Sequence, residues 1–437
     1  MYKIAIETLG CRLNQAESAI LQSRFAEKGY ALTTDPLDAD LFVLHTCTLT
    51  GQATSKSRRR LRWVARRNPD ACVAAIGCYA QTDADALARI PGVDFVVGTA
   101  HKLRLPDIIS APVKLPEPTV INNPATKHGF EIAGTGVYPL HTRANLKIQE
   151  GCDFVCAFCI IPRARGRARS RDYRDILREA RKLAAAGHRE LVITGVNVGT
   201  YNDGGRTLAD VVKALCDIEP LDRIRISSIE PTTIEDALLD EMAAGGKLCR
   251  YLHVPLQSGD SRTLSRMRRR YDADVYRAFM EDAVARVPGI GLGTDVMVGF
   301  PGESEAAFER SCEMVRALPF VNVHVFSFSA RPRTSAYGMD QPVPAARIQR
   351  RSEYLRRLAL ARQHATYLER TNGVMDVLFE GTGDGGLWTG FSDSYIRVRV
   401  QSPENLSNRI ARVAVKDVEL DGNAERVVAV GDIRRES

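Results

Sequence analysis

The sequence predicts an α/β protein in three parts: an N-terminal parallel-sheet domain, a βα barrel or part of one, and a small β-rich barrel or sandwich. Three observations carry this. Short apolar runs alternate with helix-compatible stretches over the first hundred residues, and again from about residue 144 to 328. Strands alternating with helices imply a parallel sheet with right-handed crossovers. From Gly373 onward, short alternating strands are separated by Gly, Asp, Asn and Ser turns, as in small all-β domains. The chain of 437 residues also has room for about three domains at roughly 150 residues each.

The first series opens with Lys3 to Thr8, which alternates around Ile4 and Ile6 and reaches Gly10 and Cys11. A helix follows, with Leu21 and Phe25 one turn apart and Gly29 as its C-cap. Leu41 to Leu44 is a continuous apolar run, as expected of a buried parallel strand, and ends at Thr46-Cys47. Residues 53–67 suit a helix with Leu61 and Val64 facing inward. Val73 to Ile76 is a strand ending at Gly77-Cys78, and Val93 to Val97 another ending at Gly98. The domain is expected to span 1–112. Pro112, Pro116, Pro118, Pro124 and Pro139 mark a linker over 113–140.

The second series places strands at 144–148, 190–194, 224–227, 250–254, 290–298 and 321–328. Helices lie between them at 172–186, 207–217, 234–244, 272–287 and 303–317. Six βα units suggest a barrel or part of one over 141–370, with its site at the C-terminal ends of the strands. An arginine-studded helix over about 345–370 follows the Pro-rich turn 342–344. The β-rich tail occupies 371–437, with strands at 374–379, 387–391, 395–400, 410–415 and 425–430.

Charge is unevenly placed. The formal net charge is +7. Lys56 to Arg67 contains seven basic residues and no acid, and Arg163 to Arg171 has an arginine at every second position, five in all. Together they carry +12, so the rest of the chain carries −5. The two readings of such a run are a solvated face and a polyanion-binding face. No long apolar stretch opens the chain, and no uninterrupted apolar run nears the roughly 20 residues of a membrane span. A cytoplasmic protein without a membrane partner is expected, and in that compartment the ten cysteines should not form disulfides.

Cysteine spacing carries the chemistry. Cys152-x3-Cys156-x2-Cys159 follows the first barrel strand, with Phe158 as apolar cover. Three thiolates can hold three irons of a cubane cluster and leave the fourth iron open to a small molecule. A zinc knot is the alternative, but structural zinc sites prefer paired C-x2-C units and the chain has no second pair. Cys11, Cys47 and Cys78 each lie just past the C-terminal end of a strand. In an open parallel sheet those ends share one edge, where ligands bind. Either the three converge there or they are separate inert core residues. Cys72 sits at the wrong end of its strand. Cys216, Cys249 and Cys312 have no partner pattern and read as packing residues.

These motifs resemble the radical S-adenosylmethionine enzymes, and within them the methylthiotransferases. The resemblance rests on the Cys152–Cys159 triad and on Ile160 to Arg171. It rests also on Thr8-Leu9-Gly10-Cys11-Arg12-Leu13-Asn14, Thr46-Cys47-Thr48, Gly77-Cys78-Tyr79-Ala80-Gln81, Leu191 to Gly195 and Ser227 to Pro231. His253 to Gly259 and Thr294 to Glu303 complete the set. It covers the chain from about residue 3 to the end. It implies a partial (β/α)6 TIM-like barrel in the middle and a TRAM-like β-barrel in the tail. Thr46-Cys47-Thr48-Leu49-Thr50, with Ala53 and the Lys56-Ser57-Arg58 run, is most similar to the branch acting on threonylcarbamoyladenosine in tRNA. Arg12-Leu13 stands where the branch acting on a ribosomal protein usually has Pro-Lys. Arg333 in Arg331-Pro332-Arg333-Thr334 stands where the family commonly has Gly.

The resemblance implies two [4Fe–4S] clusters as cofactors, one on Cys152, Cys156 and Cys159 with S-adenosylmethionine on its open iron, the other on Cys11, Cys47 and Cys78. It implies a radical that removes hydrogen from C2 of adenine, a step the cofactor rather than a side chain carries. The expected product is 2-methylthio-N6-threonylcarbamoyladenosine next to the anticodon. Phe158, Gly195, Glu230, Gln257 and Gly299 are candidates for the S-adenosylmethionine pocket. Lys56, Arg58, Arg59, Arg60, Arg165, Arg167 and Arg169 are candidates for RNA contacts, since Lys and Arg neutralise phosphates. Phe391 and Tyr395 are read either as base-stacking residues or as core. The expected partners are tRNA and an electron donor such as flavodoxin or ferredoxin, and DNA is not expected. Alternatives are a methylthiotransferase for isopentenyladenosine tRNA or a ribosomal protein, a non-enzymatic iron–sulfur RNA-binding protein, and a zinc-stabilised RNA-binding module.

Overall fold

The structure, a computed structural model, describes residues 1–124, 142–382, 384–422 and 426–434. The first part runs β1 (Lys3–Thr8), α1 (Arg12–Glu27), β2 (Ala31–Leu32), β3 (Leu41–Thr46), α2 (Gly51–Arg67), β4 (Cys72–Gly77), α3 (Cys78–Thr82), α4 (Ala84–Ala88), β5 (Phe95–Val97), α5 (Leu105–Ile108) and β6 (Thr119–Ile121). All its strand pairs are parallel, in the order β2-β1-β3-β4-β5-β6. Every residue of β3 and β4 is buried, because helices cover both faces. Phe42, Leu44, Val73 and Ala75 pack with Leu61 and Val64 of α2 on one face. Leu41, Val43, Ala74 and Ile76 pack with Leu21 and Phe25 of α1 on the other. The strand order reverses between β1 and β3, so the crevice at their C-terminal ends is the topological switch point where such sheets bind ligands.

The expected linker is not structureless in its described part. Thr119–Ile121 pairs with Phe95–Val97 and extends the sheet. Three residues between prolines carry no readable period, so pairing with an existing edge, not local pattern, makes this strand. Residues 125–140 of the linker lie outside the described residues.

The middle part runs β7 (Arg143–Lys147), β8 (Gln149–Glu150), α6 (Ile161–Arg165), β9 (Arg169–Ser170), α7 (Tyr173–Ala185), β10 (Glu190–Thr194), α8 (Leu208–Cys216), β11 (Arg223–Ile226), α9 (Asp236–Ala243), β12 (Tyr251–His253), α10 (Ser261–Arg266), α11 (Ala273–Arg286), β13 (Gly291–Val298), α12 (Glu305–Ala317) and β14 (Phe320–Ser327). The barrel strands form two three-stranded parallel sheets, β7-β10-β11 and β12-β13-β14. Isolated parallel bridges at Ile224–Leu248 and Ser228–His253 join them into one six-stranded partial barrel. Side-chain caps start α7 (Asp172), α10 (Asp260), α11 (Asp272) and α12 (Ser304), each accepting from the backbone three residues on.

Helix α13 (Ala345–Leu368) lies against β14 and leads into the tail. Strands β15 (Val374–Thr382), β16 (Leu387–Ser392), β17 (Arg397–Gln401), β18 (Ile410–Asp421) and β19 (Arg426–Ile433) close into a barrel. Closure removes the exposed edges that five short strands would otherwise present. The tail docks on the middle part through aromatic stacking. Tyr395 lies between Tyr251, at 4.6 Å, and Phe391, at 4.8 Å. Arg12 donates to its hydroxyl at 2.7 Å. With both ring faces covered, Tyr395 holds the parts together and is not a base-stacking platform; Phe391 likewise carries Tyr395 on its ring, with Arg143 5.0 Å away. Among the described residues no helix is long and apolar enough to cross a membrane.

Candidate functional site

The contiguous triad sits on the loop after β8. Gly151 has φ +73°, and a Cβ there would lie 1.9 Å from the Arg167 carbonyl oxygen, so only glycine lets the two backbone segments meet. The Cys152 amide donates to Gly166 at 3.1 Å, and the Cys159 amide to Cys156 at 3.1 Å. This folds the three thiols within electrostatic range of one another. Burial pushes Cys152 up to about 11 and Cys159 up to about 12, and Cys156 upward as well. Three thiols with no acid or imidazole among their hydrogen-bond partners are a donor set suited to iron–sulfur ligation. Arg269 donates to Cys156 Sγ at 3.3 Å and also pairs with Glu230 and Tyr271. Sequence reading missed Arg269, which sits inside an Arg268-Arg269-Arg270 run with nothing to distinguish it.

The dispersed triad stands at the ends of three adjacent strands. Gly10, φ +110°, lies so close to Cys47 that a Cβ would meet its Sγ at 3.2 Å. Gly77, φ +96°, lets the chain turn from β4 into α3 against His45. Cys47 feels both Cys78 and Cys11, and burial pushes it up to about 11. Cys11 is exposed and donates to Asn14 Oδ1 at 3.8 Å. The sheet thus brings Cys11, Cys47 and Cys78 together, a second all-thiol set with the same chemistry. Cys72 starts β4 at its opposite end, and Cys249 and Cys312 are buried elsewhere.

Beside the dispersed triad lies a buried ion network that the sequence did not announce. Arg165 of α6 donates to Glu17 Oε1 at 3.0 Å, Glu150 Oε1 at 2.8 Å and Asn14 Oδ1 at 2.6 Å. Lys147 reaches Glu17 at 2.5 Å and Glu150 at 2.8 Å. Lys102 reaches the same two carboxylates at 2.9 and 3.3 Å. Burial opposes ionisation, yet Lys102 and Lys147 hold Glu150 down to about 2, and Arg165 holds Glu17 well below the carboxylate range. Burial lowers neighbouring His45 to about 3. Asn14 also donates to Leu9 and Thr46, the chain next to Cys11 and Cys47.

This network corrects the reading of Arg165 as an RNA contact: it is 1% exposed and fully engaged. Arg169, half-buried, donates to the Arg165 carbonyl and faces Glu150. Arg167 is exposed and pairs with Asp153 at 3.2 Å. On α2, Lys56 and Arg59 face solvent. Arg58 donates to Tyr79 at 2.8 Å, and Arg60 is held by Glu7 and lies 4.3 Å over Trp63.

The pocket candidates are distributed as follows. Phe158 packs edge-on to Phe300, ring centroids 6.5 Å apart. Glu230 joins the contiguous triad through Arg269. Gly195 is pressed by Gln149, whose Oε1 accepts from the Val196 and Asn197 amides. Gln257 has φ +65° and a buried Oε1 without a partner among the described residues, an acceptor available to a ligand. Gly299 lies against α13, where a Cβ would meet Ile348 at 2.4 Å, so helix packing accounts for this glycine. Elsewhere on β12, β13 and β14, Asp295 accepts from His253 at 3.1 Å and His324 at 3.2 Å, a group that could hold a metal ion. A cleft of about 660 Å³ runs between Thr48 and Gln81 on one side and Ile160, Arg163, Arg331 and Arg333 on the other.

Comparison with known proteins shows what the chain is similar to. Residues 146–315 match the radical SAM superfamily, and residues 3–98 match the uncharacterized protein family UPF0004. The threonylcarbamoyladenosine tRNA methylthiotransferase MtaB of Bacillus subtilis is 34% identical over 95% of this chain and 94% of its own. A tRNA-2-methylthio-N(6)-dimethylallyladenosine synthase of Cereibacter sphaeroides is 33% identical over 94% of this chain and 95% of its own. Among solved structures, the radical S-adenosylmethionine methyltransferase TsrM of Kitasatospora setae shares the fold, with a TM-score of 0.55 at 16% identity over 77% of each chain.

Proposed function

The chain belongs to the tRNA methylthiotransferases of the radical S-adenosylmethionine superfamily, and from that premise we propose that it adds a methylthio group to C2 of N6-threonylcarbamoyladenosine in tRNA. The observation that carries this reading is the pair of all-thiol triads, the dispersed one backed by a buried ion network. Two [4Fe–4S] clusters and S-adenosylmethionine, when bound, would supply the radical chemistry together with the sulfur and methyl groups for this substitution.

The chain's own residues hold and orient these groups. Cys152, Cys156 and Cys159 hold the first cluster, and three ligands leave one position for S-adenosylmethionine. Arg269 donates to Cys156, which favours the thiolate and tunes the cluster. Glu230 fixes Arg269 in that role. Gln257 offers its unpartnered Oε1 to a donor on S-adenosylmethionine. Cys11, Cys47 and Cys78 hold the second cluster at the switch point of the sheet. The ion network ties together the segments that carry the two triads, since Glu17 lies on α1, which follows Cys11, and Arg165 ends α6, which follows Cys159. The reaction takes place in the cytoplasm, where tRNA is available, with electrons from a flavodoxin- or ferredoxin-type donor.

Nucleoside analysis of tRNA from cells with and without the protein tests this reading. The expected result is loss of 2-methylthio-N6-threonylcarbamoyladenosine on deletion. Loss of the dimethylallyl analogue instead, or of a modified ribosomal protein, overturns the substrate. In the reconstituted enzyme, Cys156→Ala should abolish 5′-deoxyadenosine formation, while Cys47→Ala should keep it and lose the product. If Cys156→Ala still forms 5′-deoxyadenosine, the site assignment is wrong.

A further inference from the structure

Arg333 has φ +68° in a position where a side chain strains the backbone. Glycine would occupy it without cost, so the side chain is retained against the local preference. Arg333 lines the 660 Å³ cleft together with Arg163 and Arg331. The cleft touches both triads through their neighbours in sequence. Thr48 follows Cys47, Gln81 lies three residues after Cys78, and Ile160 follows Cys159.

Its charge is unbalanced. Asp83 is the one acid among the described lining residues, against three arginines. Among the described residues, no carboxylate comes within 4 Å of any of the three guanidinium groups. Arg331 donates to Thr48 at 2.9 Å, but its buried Nε has no partner among the described residues. Arg163 spends its Nε on the Arg333 carbonyl at 2.8 Å, which ties the strained residue to the α6 end of the cleft. Two arginines with donors to spare, facing a space beside both triads, are suited to a carboxylate, which guanidinium binds in a bidentate fork.

We propose that this cleft is the subsite for the anionic amino-acid appendage of the substrate nucleoside, and that Arg333 and Arg331 select it. The inference rests on the functional reading above and deepens it. A threonylcarbamoyl group ends in a free carboxylate, whereas a dimethylallyl group is apolar and uncharged. A cation-rich cleft distinguishes the two by charge, because the apolar group offers the arginines no acceptor and would cover the buried Nε of half-buried Arg331 without pairing it.

The test is binding of anticodon stem-loop RNAs to the full-length reconstituted enzyme. Three RNAs differ only at the target base, which carries threonylcarbamoyladenosine, adenosine or dimethylallyladenosine. Arg333→Gly removes the cation and relieves the backbone, so it should melt no lower than the parent. It should weaken the threonylcarbamoyl RNA about tenfold, the scale of one charge-assisted hydrogen bond, and change the adenosine RNA less than about twofold. Arg333→Lys, which keeps the charge but not the bidentate fork, should recover only part of the loss. Equal weakening of all three RNAs would mean a phosphate contact and would overturn the inference, as would no weakening at all. If the parent enzyme still makes the methylthio product while Arg333→Gly binds as the parent does, the subsite alone is wrong. If the parent makes no such product and binds all three RNAs alike, the functional reading fails and the inference with it.

Discussion

The two arginine-rich segments look alike as sequence and behave oppositely in the structure. On α2 the cations lie on the outside of a helix whose other side is set by Thr54, Ser57, Leu61 and Val64. Lys56, Arg59 and Arg62 form an exposed stripe at three-residue spacing. In residues 163–171 the chain turns Arg165 and Arg171 inward. Arg165 meets Glu17 and Glu150, and Arg171 meets Asp175 and Glu179. Only Arg163 and Arg167 remain exposed. The difference shows that a run of cations gives no indication of where its counter-charges are. Those of Arg165 lie 148 residues upstream and 15 residues upstream. One segment is available to polyanions, while the other holds two parts of the molecule together.

The largest effect that follows from this contrast belongs to Arg165. Arg165→Met removes the guanidinium shared by Glu17, Glu150 and Asn14 and leaves buried polar groups under-satisfied. Breaking one partner out of a buried charged network costs about 3–5 kcal/mol. Chemical denaturation of the variant should show a loss of that size. A loss below about 1 kcal/mol would place Arg165 with the surface arginines and remove the contrast.

Acid should act on the same network. Glu150 is held at about 2 against an ordinary 4.5, and His45 at about 3 against 6.5. Both values are depressed in the folded protein. Their contribution is therefore complete above the ordinary values and is lost as pH falls, for His45 from 6.5 toward 3 and for Glu150 from 4.5 toward 2. The melting temperature should begin to fall below about pH 6.5 and fall faster below about 4.5. Arg165→Met, with less depression of the carboxylates, should show a shallower dependence. Identical slopes in parent and variant would count against the network as the source.

What could be read from the sequence was what is local. Cys152 to Cys159 occupy eight residues, so their convergence is a matter of one loop. The dispersed triad was legible only as three equivalent places, because strand ends in a parallel sheet share an edge whatever the crossover lengths. Arg333 stood out as a departure from glycine, and its positive φ gives that departure a physical meaning. The ion network was illegible because Glu17, Lys102, Lys147 and Glu150 look like ordinary surface residues until the sheet and barrel meet. Tyr395 stayed open between two readings for a similar reason: an aromatic in a small β domain suits either a base or a packing partner, and here Tyr251 of the barrel takes the place.

The smallest effect on stability, and the sharpest on binding, belongs to the outward stripe of α2. Arg58 and Arg60 already have partners in Tyr79 and Glu7, so replacing them mixes folding with binding. Lys56, Arg59 and Arg62 avoid this, since they face solvent on one side of one helix. Neutralising all three should change stability by no more than about 0.5 kcal/mol, as for other exposed positions. If they neutralise phosphates, tRNA affinity should fall alike for all target bases, and the salt dependence should lose roughly one unit of slope per cation. That uniform loss is the opposite signature to the base-selective loss expected of Arg333→Gly, so the two variants separate backbone attraction from recognition of the modified base. An unchanged salt slope would mean that α2 is merely a solvated face, and the tRNA surface would then have to be sought among the other exposed cations.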